Sequence, residues 1–266
     1  MGKAREILSG VAVAPGAALT VVTPALGDAF TIRNFTAGKA QLLTAWPTGK
    51  TTLGEFQIRS PRMHDNVLGI TLANPVVPGD SPLFIPKLQD LVAQDALIAS
   101  LSGSAGALEQ MLLSLIIAYE DLPGIEGNFI TPEELKTRGV DTMTVFNALV
   151  PTAGGTYEGP VAINATDDLM KANTPYALVG YMVTVGCHAV TWRGSDTGNL
   201  RIGGPGRING NLDTRNYFVK LSELSGLPCI PVFNSANKAN TFVEVVSDEV
   251  AAISSVYSIF VQLSVS

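Results

Sequence analysis

Hydrophobic residues fall in short runs along most of the chain, with Gly, Pro, Asn and Asp standing between the runs. Short apolar or alternating runs bounded by turn residues predict β-strands. In the first half the candidates are Ala18–Val22, Phe30–Phe35, Ala40–Ala45, Thr52–Arg59 and Val67–Leu72. In the second half they are Val161–Ala165, Tyr176–Val185, His188–Trp192, Asn199–Ile202 and Tyr217–Leu221. The run Ala177–Val185 is rich in β-branched and apolar types and meets a breaker at Gly186. Phe242–Val246 alternates in part, between Asn240 and Ser247. The 16 Pro and 26 Gly supply the turns that many short strands need. Helix signals are fewer. Leu88–Leu101 carries apolar residues at nearly helical spacing. Thr131-Pro132-Glu133-Glu134-Leu135 reads as a helix start, with a capping Thr and a Pro at the first helical position.

The runs repeat. Phe56–Pro61 lies opposite Leu200–Pro205, and Leu112–Tyr119 opposite Val256–Leu263, both at an offset of about 144 residues. Ile85-Pro86 answers Ile230-Pro231, and the only two tryptophans, Trp46 and Trp192, correspond at nearly the same offset. A period this long is a domain and not a solenoid repeat. Leu122–Glu158 finds no partner in the repeat, so it reads as a connection. The expected organisation is a first jelly roll over 11–122, a linker with a short helix over 123–158, and a second jelly roll over 159–266. Two copies of about eight short strands, each ending in a long apolar strand, fit an all-β fold of two tandem jelly-roll β-barrels with a few short helices in loops and linker. An immunoglobulin-like sandwich is the rival, because periodicity does not give strand order.

Composition narrows the function. Of 266 residues, 46% are hydrophobic and only 15% charged, which argues for a packed chain with much of its surface covered by other subunits. A net charge of −6 argues against a dedicated nucleic-acid binder. Cys187 and Cys229 are too few for a disulfide scaffold and sit in apolar surroundings, where buried thiols are expected. No sustained apolar core follows Met1–Arg5, so no signal peptide is expected; Met111–Tyr119 is half of what a bilayer span needs.

The motifs for catalysis fail one by one. Thr48-Gly49-Lys50-Thr51-Thr52 resembles a phosphate loop, yet Thr44 stands where the motif needs its first glycine. Gly203–Gly210 does not spell a dinucleotide fingerprint, and no helix follows it in the pattern. His64 and His188 cannot supply a three-histidine metal site. Cys187 and His188 are adjacent, which in a strand sends their side chains to opposite faces. No nucleophile elbow of the Gly-x-Ser-x-Gly type occurs. The carboxylate pairs Glu120-Asp121, Glu133-Glu134 and Asp167-Asp168 read as solvated, with Asp65 and Asp167 as loop candidates for calcium. No catalytic, cofactor-binding or metal residue is assigned, and no enzyme activity or cofactor is expected.

Tandem jelly rolls with a linker and an apolar strand closing each copy resemble the double jelly-roll major capsid proteins of tailless icosahedral viruses. The resemblance spans nearly the whole chain and rests on architecture alone. It implies two barrels side by side, a homotrimer whose six barrels give a nearly sixfold outline, and tiling of an icosahedral shell. It further implies neighbouring capsomers and minor or penton proteins as partners, with no specific nucleic acid, and a virion location after synthesis in the host cytoplasm. A membrane beneath such a shell makes Lys3 and Arg5 a candidate inner face. Two other readings use the same strands: a tandem β-sandwich that binds or acts on carbohydrate, and a trimeric phage tail or baseplate component. An aromatic content of 7% gives little material for a sugar platform, and the two Trp read as core or barrel-edge residues.

Overall fold

A computed structural model of the chain describes residues 3–27, 29–48, 53–63, 66–73, 83–103, 110–165, 169–184, 186–206, 213–247 and 254–265. The first half supplies β1 (Ala4–Val13), β2 (Thr20–Val21), β3 (Thr23–Pro24), β4 (Phe30–Thr31), β5 (Ala40–Thr48) and β6 (Leu53–Arg59). It continues with β7 (Ile70–Ala73), β8 (Leu83–Leu91), β9 (Ala96–Gly103) and β10 (Gln110–Tyr119). Then come β11 (Phe129–Ile130), α1 (Pro132–Arg138), β12 (Gly139–Leu149), β13 (Tyr157–Ala162), β14 (Pro175–Val183) and β15 (Cys187–Arg193). The chain closes through β16 (Ile202–Pro205), α2 (Tyr217–Ser225), β17 (Ile230–Asn234), β18 (Phe242–Ser247) and β19 (Ser254–Leu263).

These strands form four antiparallel sheets. In the first half, β3-β1-β10-β5-β8 faces β2-β9-β6-β7, with β4 also on β9. In the second half, β11-β17-β14-β19-β12 faces β13-β18-β15-β16. Below, each sheet is named by its β10, β9, β19 or β18 strand. In each half the last strand lies between two earlier strands of its own sheet, β10 between β1 and β5 and β19 between β12 and β14, while β6-β7 and β15-β16 are hairpins within the facing sheet. That order defines a jelly roll and excludes the immunoglobulin arrangement. The fold is all-β, with α1 and α2 as its two α-helices among the described residues. The expected connection 123–158 holds β11, α1 and the whole of β12, which pairs with β19 as an edge strand of the second jelly roll.

Three local expectations are corrected. Leu88–Leu101 is no helix: β8 ends at Leu91, Gln94 turns the chain with φ 59°, and β9 begins at Ala96. Leu97, Ala99 and Leu101 then alternate into the first core, and their spacing had coincided with a helical one. Tyr217–Leu221 is helix α2, not strand, burying Tyr217, Phe218, Leu221 and Ser222 on one face and stopping at Gly226 in the left-handed region. Five residues are too few to separate the two periods. The repeat also has a different register. Leu43 in β5 and Val179 in β14 are the extra residues of matching β-bulges, opposite Ile116/Ile117 and Phe260/Ile259. Aligning the bulges makes Trp46 the counterpart of Met182, while Trp192 sits one strand later, in β15.

α1 forms as its sequence dictates. Thr131 Oγ1 accepts from the Glu134 N–H at 3.2 Å, and the Glu134 carboxylate accepts from the Thr131 N–H at 2.9 Å. Two cores result. Phe30, Ile32, Leu42, Phe56, Ile58, Leu101 and Leu115 fill the first sandwich. Tyr181, Trp192, Val243, Val245, Val256 and Phe260 fill the second, and that cluster extends to Ile7, Val11, Leu43, Trp46 and Ile116 of the first half. No helix among the described residues is long and apolar enough to cross a membrane.

Candidate functional site

Among the described residues, those that carry candidate chemistry do not converge. Thr48 ends β5, its hydroxyl 2.9 Å from His188 Nδ1, while 49–52 lie outside the described residues. His64, Asp65, Asp167, Asp168 and 207–210 are also outside them. Gly203 and Gly204 belong to β16; a Cβ on Gly203 would stand 2.2 Å from the Val190 carbonyl, so glycine here serves close strand approach. Cys187 and His188 are both fully buried, and the Cys187 thiol donates to the Ala189 carbonyl at 3.2 Å. Both cysteines lie outside any disulfide. Glu133 and Glu134 start α1, and Glu120 and Asp121 are half-buried at the end of β10. No group of three or more metal-ligating side chains occurs among the described residues. Two clefts are small, of about 70 Å³ at Glu6, Arg33, Tyr157 and Arg201, and about 180 Å³ at Asp141, Leu169, Lys171 and Tyr176. Ligand sites for drug-sized molecules need about 300 Å³ or more.

What the sequence does build is a face-to-face junction between the sandwiches. β1 places Ala4, Leu8 and Ala12 toward its own core and Arg5, Ile7, Ser9 and Val11 outward. The outward row of the β10 sheet lies on the outer face of the β18 sheet. The Ile7 N–H donates to the Arg201 carbonyl at 2.9 Å, and the Tyr157 hydroxyl donates to the Ile7 carbonyl at 3.4 Å. Backbone pairing from the second half therefore covers part of the β1 edge, which an isolated sandwich would leave open. Ser9 and Ser114 bond across β1 and β10 at 2.8 Å, and Trp46 is the next residue in that row.

Charge is buried at the same junction. Glu244 in β18 is 3% exposed at its side chain and takes Arg193 Nε at 3.0 Å and Arg201 Nε at 2.7 Å. Each arginine also lies over an aromatic ring, Arg193 over Phe242 at 5.3 Å and Arg201 over Tyr157 at 4.5 Å. Burial pushes the Tyr157 phenol up to about 12. Nearby, Arg33 Nε donates to Glu6 at 2.9 Å, and Tyr119 donates to Glu6 at 3.3 Å. Burial first, and the Glu6 charge second, hold the Tyr119 phenol above its ordinary range. Arg5 is 3% exposed, donates to the Ala4 and Tyr119 carbonyls and lies over Phe129. It faces the second half, so of the two basic residues proposed for an inner membrane surface Arg5 is covered within the chain, while Lys3 is exposed.

The arrangement holds one half of the chain against the other. No sequence signal marked Glu244, Arg201 or Tyr157 in advance, because their roles depend on two sheets meeting. Two related faces lie outside this junction: the outer face of the β19 sheet, where Tyr257 and Met182 are exposed, and the outer face of the β9 sheet, where Ser100 and Ser102 are buried.

No protein-family model and no curated protein sequence matches the chain. Among solved structures, the exported protein XepA of PBSX aligns over 97% of this chain and 86% of its own, at 13% identity and a TM-score of 0.27. The major capsid protein of Sulfolobus Turreted Icosahedral Virus aligns over 99% and 97%, at 10% identity and a TM-score of 0.22. The major capsid protein P2 of bacteriophage PM2 aligns over 98% of each, at 8% identity and a TM-score of 0.23. By its own strand order, the chain is a tandem, double jelly-roll protein.

Proposed function

We propose that this chain is a non-enzymatic coat subunit that assembles as a homotrimer, its six jelly rolls giving a pseudo-sixfold capsomer of an icosahedral viral shell. The supporting observation is the junction itself. The outer face of one sandwich's β10 sheet meets the outer face of the next sandwich's β18 sheet, so the contact is head-to-tail. Head-to-tail contacts generate rings when the rotation closes. A duplicated sandwich that already makes one such contact within the chain needs only the same contact between chains to form a ring of six. Low charge and exposed apolar residues such as Val13, Val21, Val140 and Val150 agree with a surface made for subunits. In this reading the partners are the chain itself, neighbouring capsomers, minor or penton proteins and a membrane under the shell, and the protein resides in the virion after synthesis in the host cytoplasm.

Light scattering with negative-stain images of the same sample tests this reading. A mass near three chains with a pseudo-hexagonal outline is the expected result; a monomer at every concentration would overturn it.

A further inference from the structure

The internal repeat says what belongs on these two faces. With the bulges aligned, the row Ser9–Ser114–Trp46 of the β10 sheet corresponds to Phe146–Tyr257–Met182 of the β19 sheet, each a chain of direct cross-strand neighbours. The first row is buried against the β18 sheet. The second faces outward, with Tyr257 37% and Met182 42% exposed and the Phe146 and Tyr257 rings 5.0 Å apart. Around it stand Thr142, Thr144, Ala148, Ser255, Ile259 and Val261, and no charged residue faces outward from β19 or from β12 beyond Thr142. An uncharged aromatic patch of this kind on a sheet face marks a contact surface.

The matching receptor is equally legible. Thr191–Glu244 in the covered β18 sheet corresponds to Gln57–Ser100 in the β9 sheet, and Arg193 corresponds to Arg59. Arg193 has Glu244 as its partner. Arg59 has a serine at the equivalent place, and its Nε is buried without a hydrogen-bond partner. The lost carboxylate leaves Arg59 Nε a buried donor without an acceptor, which is costly. Arg193 and Arg201 lie over rings of their own sheet, Phe242 and Tyr157, whereas Phe146 and Tyr257 would offer ring faces from an opposing one.

We infer that the outer face of the β19 sheet, centred on Phe146, Tyr257 and Met182, docks on the outer face of the β9 sheet of a second copy of this chain. This assignment rests on the trimer reading and specifies which surfaces make it. It also fixes a register. The Ile7–Arg201 backbone contact corresponds to Thr144 of one copy meeting Gly69 of the next, with Leu68, 58% exposed, beside it.

The test is a thiol cross-link in the full chain carrying both T144C and L68C, with a short bifunctional reagent. Cys187 and Cys229 are buried and serve as silent background. The expected result is chain-to-chain cross-linking in the double variant that stops at three chains and is absent from each single variant. As a second measurement, M182K is expected to weaken association at least tenfold while leaving the unfolding temperature of the dissociated chain unchanged. Double-variant cross-linking no greater than in the singles, in a protein that still has the mass of three chains, would overturn this face assignment and leave the trimer reading intact. A monomeric mass for the parent chain would overturn both.

Discussion

Trp46 stands edge-on to Tyr217, their ring centroids 6.3 Å apart and their planes at 75°, and this contact ties the first sandwich to helix α2 of the second. Tyr217 continues to Tyr181 at 5.9 Å, and Tyr181 to Trp192 at 5.1 Å, so an aromatic path joins the two tryptophans through the junction. Both tryptophans are at most 1% exposed. Trp46→Ala is therefore expected to cost about 3–5 kcal/mol, as for large-to-small core changes. The Trp46/Tyr217 double-mutant cycle should return a coupling of about 1 kcal/mol in denaturant unfolding. Tyr217→Phe is the sharper case, because its hydroxyl is buried without a hydrogen-bond partner. Removing an unsatisfied buried hydroxyl is expected to leave stability unchanged or raise it by about 1 kcal/mol. A loss above that size would show that the hydroxyl has a partner.

Glu244 holds two arginines, and its loss strands both. Glu244→Gln is expected to cost about 3–5 kcal/mol, because removing one member of a buried ionic group leaves uncompensated charge. Arg201→Ala should cost more than Arg193→Ala, since Arg201 is the more buried of the two and lies closer to its ring, 4.5 Å from Tyr157 against 5.3 Å from Phe242. Denaturant midpoints of the three variants check the order. Equal midpoints for the two arginine variants would remove Tyr157 from the explanation.

The sequence made the strand-rich, duplicated architecture readable. The alignment of the copies was harder. Pairing Leu112–Tyr119 with Val256–Leu263 is one residue out of register with the bulges, and in a strand one residue exchanges the two faces. β1 escaped notice because both its faces are buried, one in the core and one at the junction, which erases the alternation that marks an exposed strand. β12 was hidden because its counterpart β1 lies 135 residues earlier, whereas β10 and β19 are 144 apart at their starts. The difference comes from the longer connection that carries α2 between β16 and β17. Glu244 and Arg201 read as ordinary strand and loop charges until two sheets are brought together.

The start of α1 offers a local test with a known scale. Thr131 and Glu134 satisfy each other's backbone N–H groups. Thr131→Ala is expected to cost about 1 kcal/mol and Thr131→Ser little, measured as a shift in the denaturant midpoint. Equal effects of Ala and Ser would show that the capping hydroxyl contributes nothing at this position.

Alkaline pH probes the junction through Tyr157. Unfolded, its phenol ionises near 10; folded, burial raises that to about 12. The folded chain thus binds the phenolic proton more tightly, so the stabilisation is whole below about pH 10 and is lost as pH rises toward 12. Tyr119, Tyr181 and Tyr217 are shifted in the same direction by burial, so they steepen the same decline. Stability measured from pH 9 upward should therefore fall steeply in the parent chain, on the order of one to two pH units above the ordinary phenol range. In Tyr157→Phe the fall should be shallower, and one late-ionising phenolate should vanish from the absorbance titration. Loss of a phenolate near pH 10 with the late phase intact would mean that the Tyr157 phenol ionises as an exposed one does, and that the two sandwiches do not close over it.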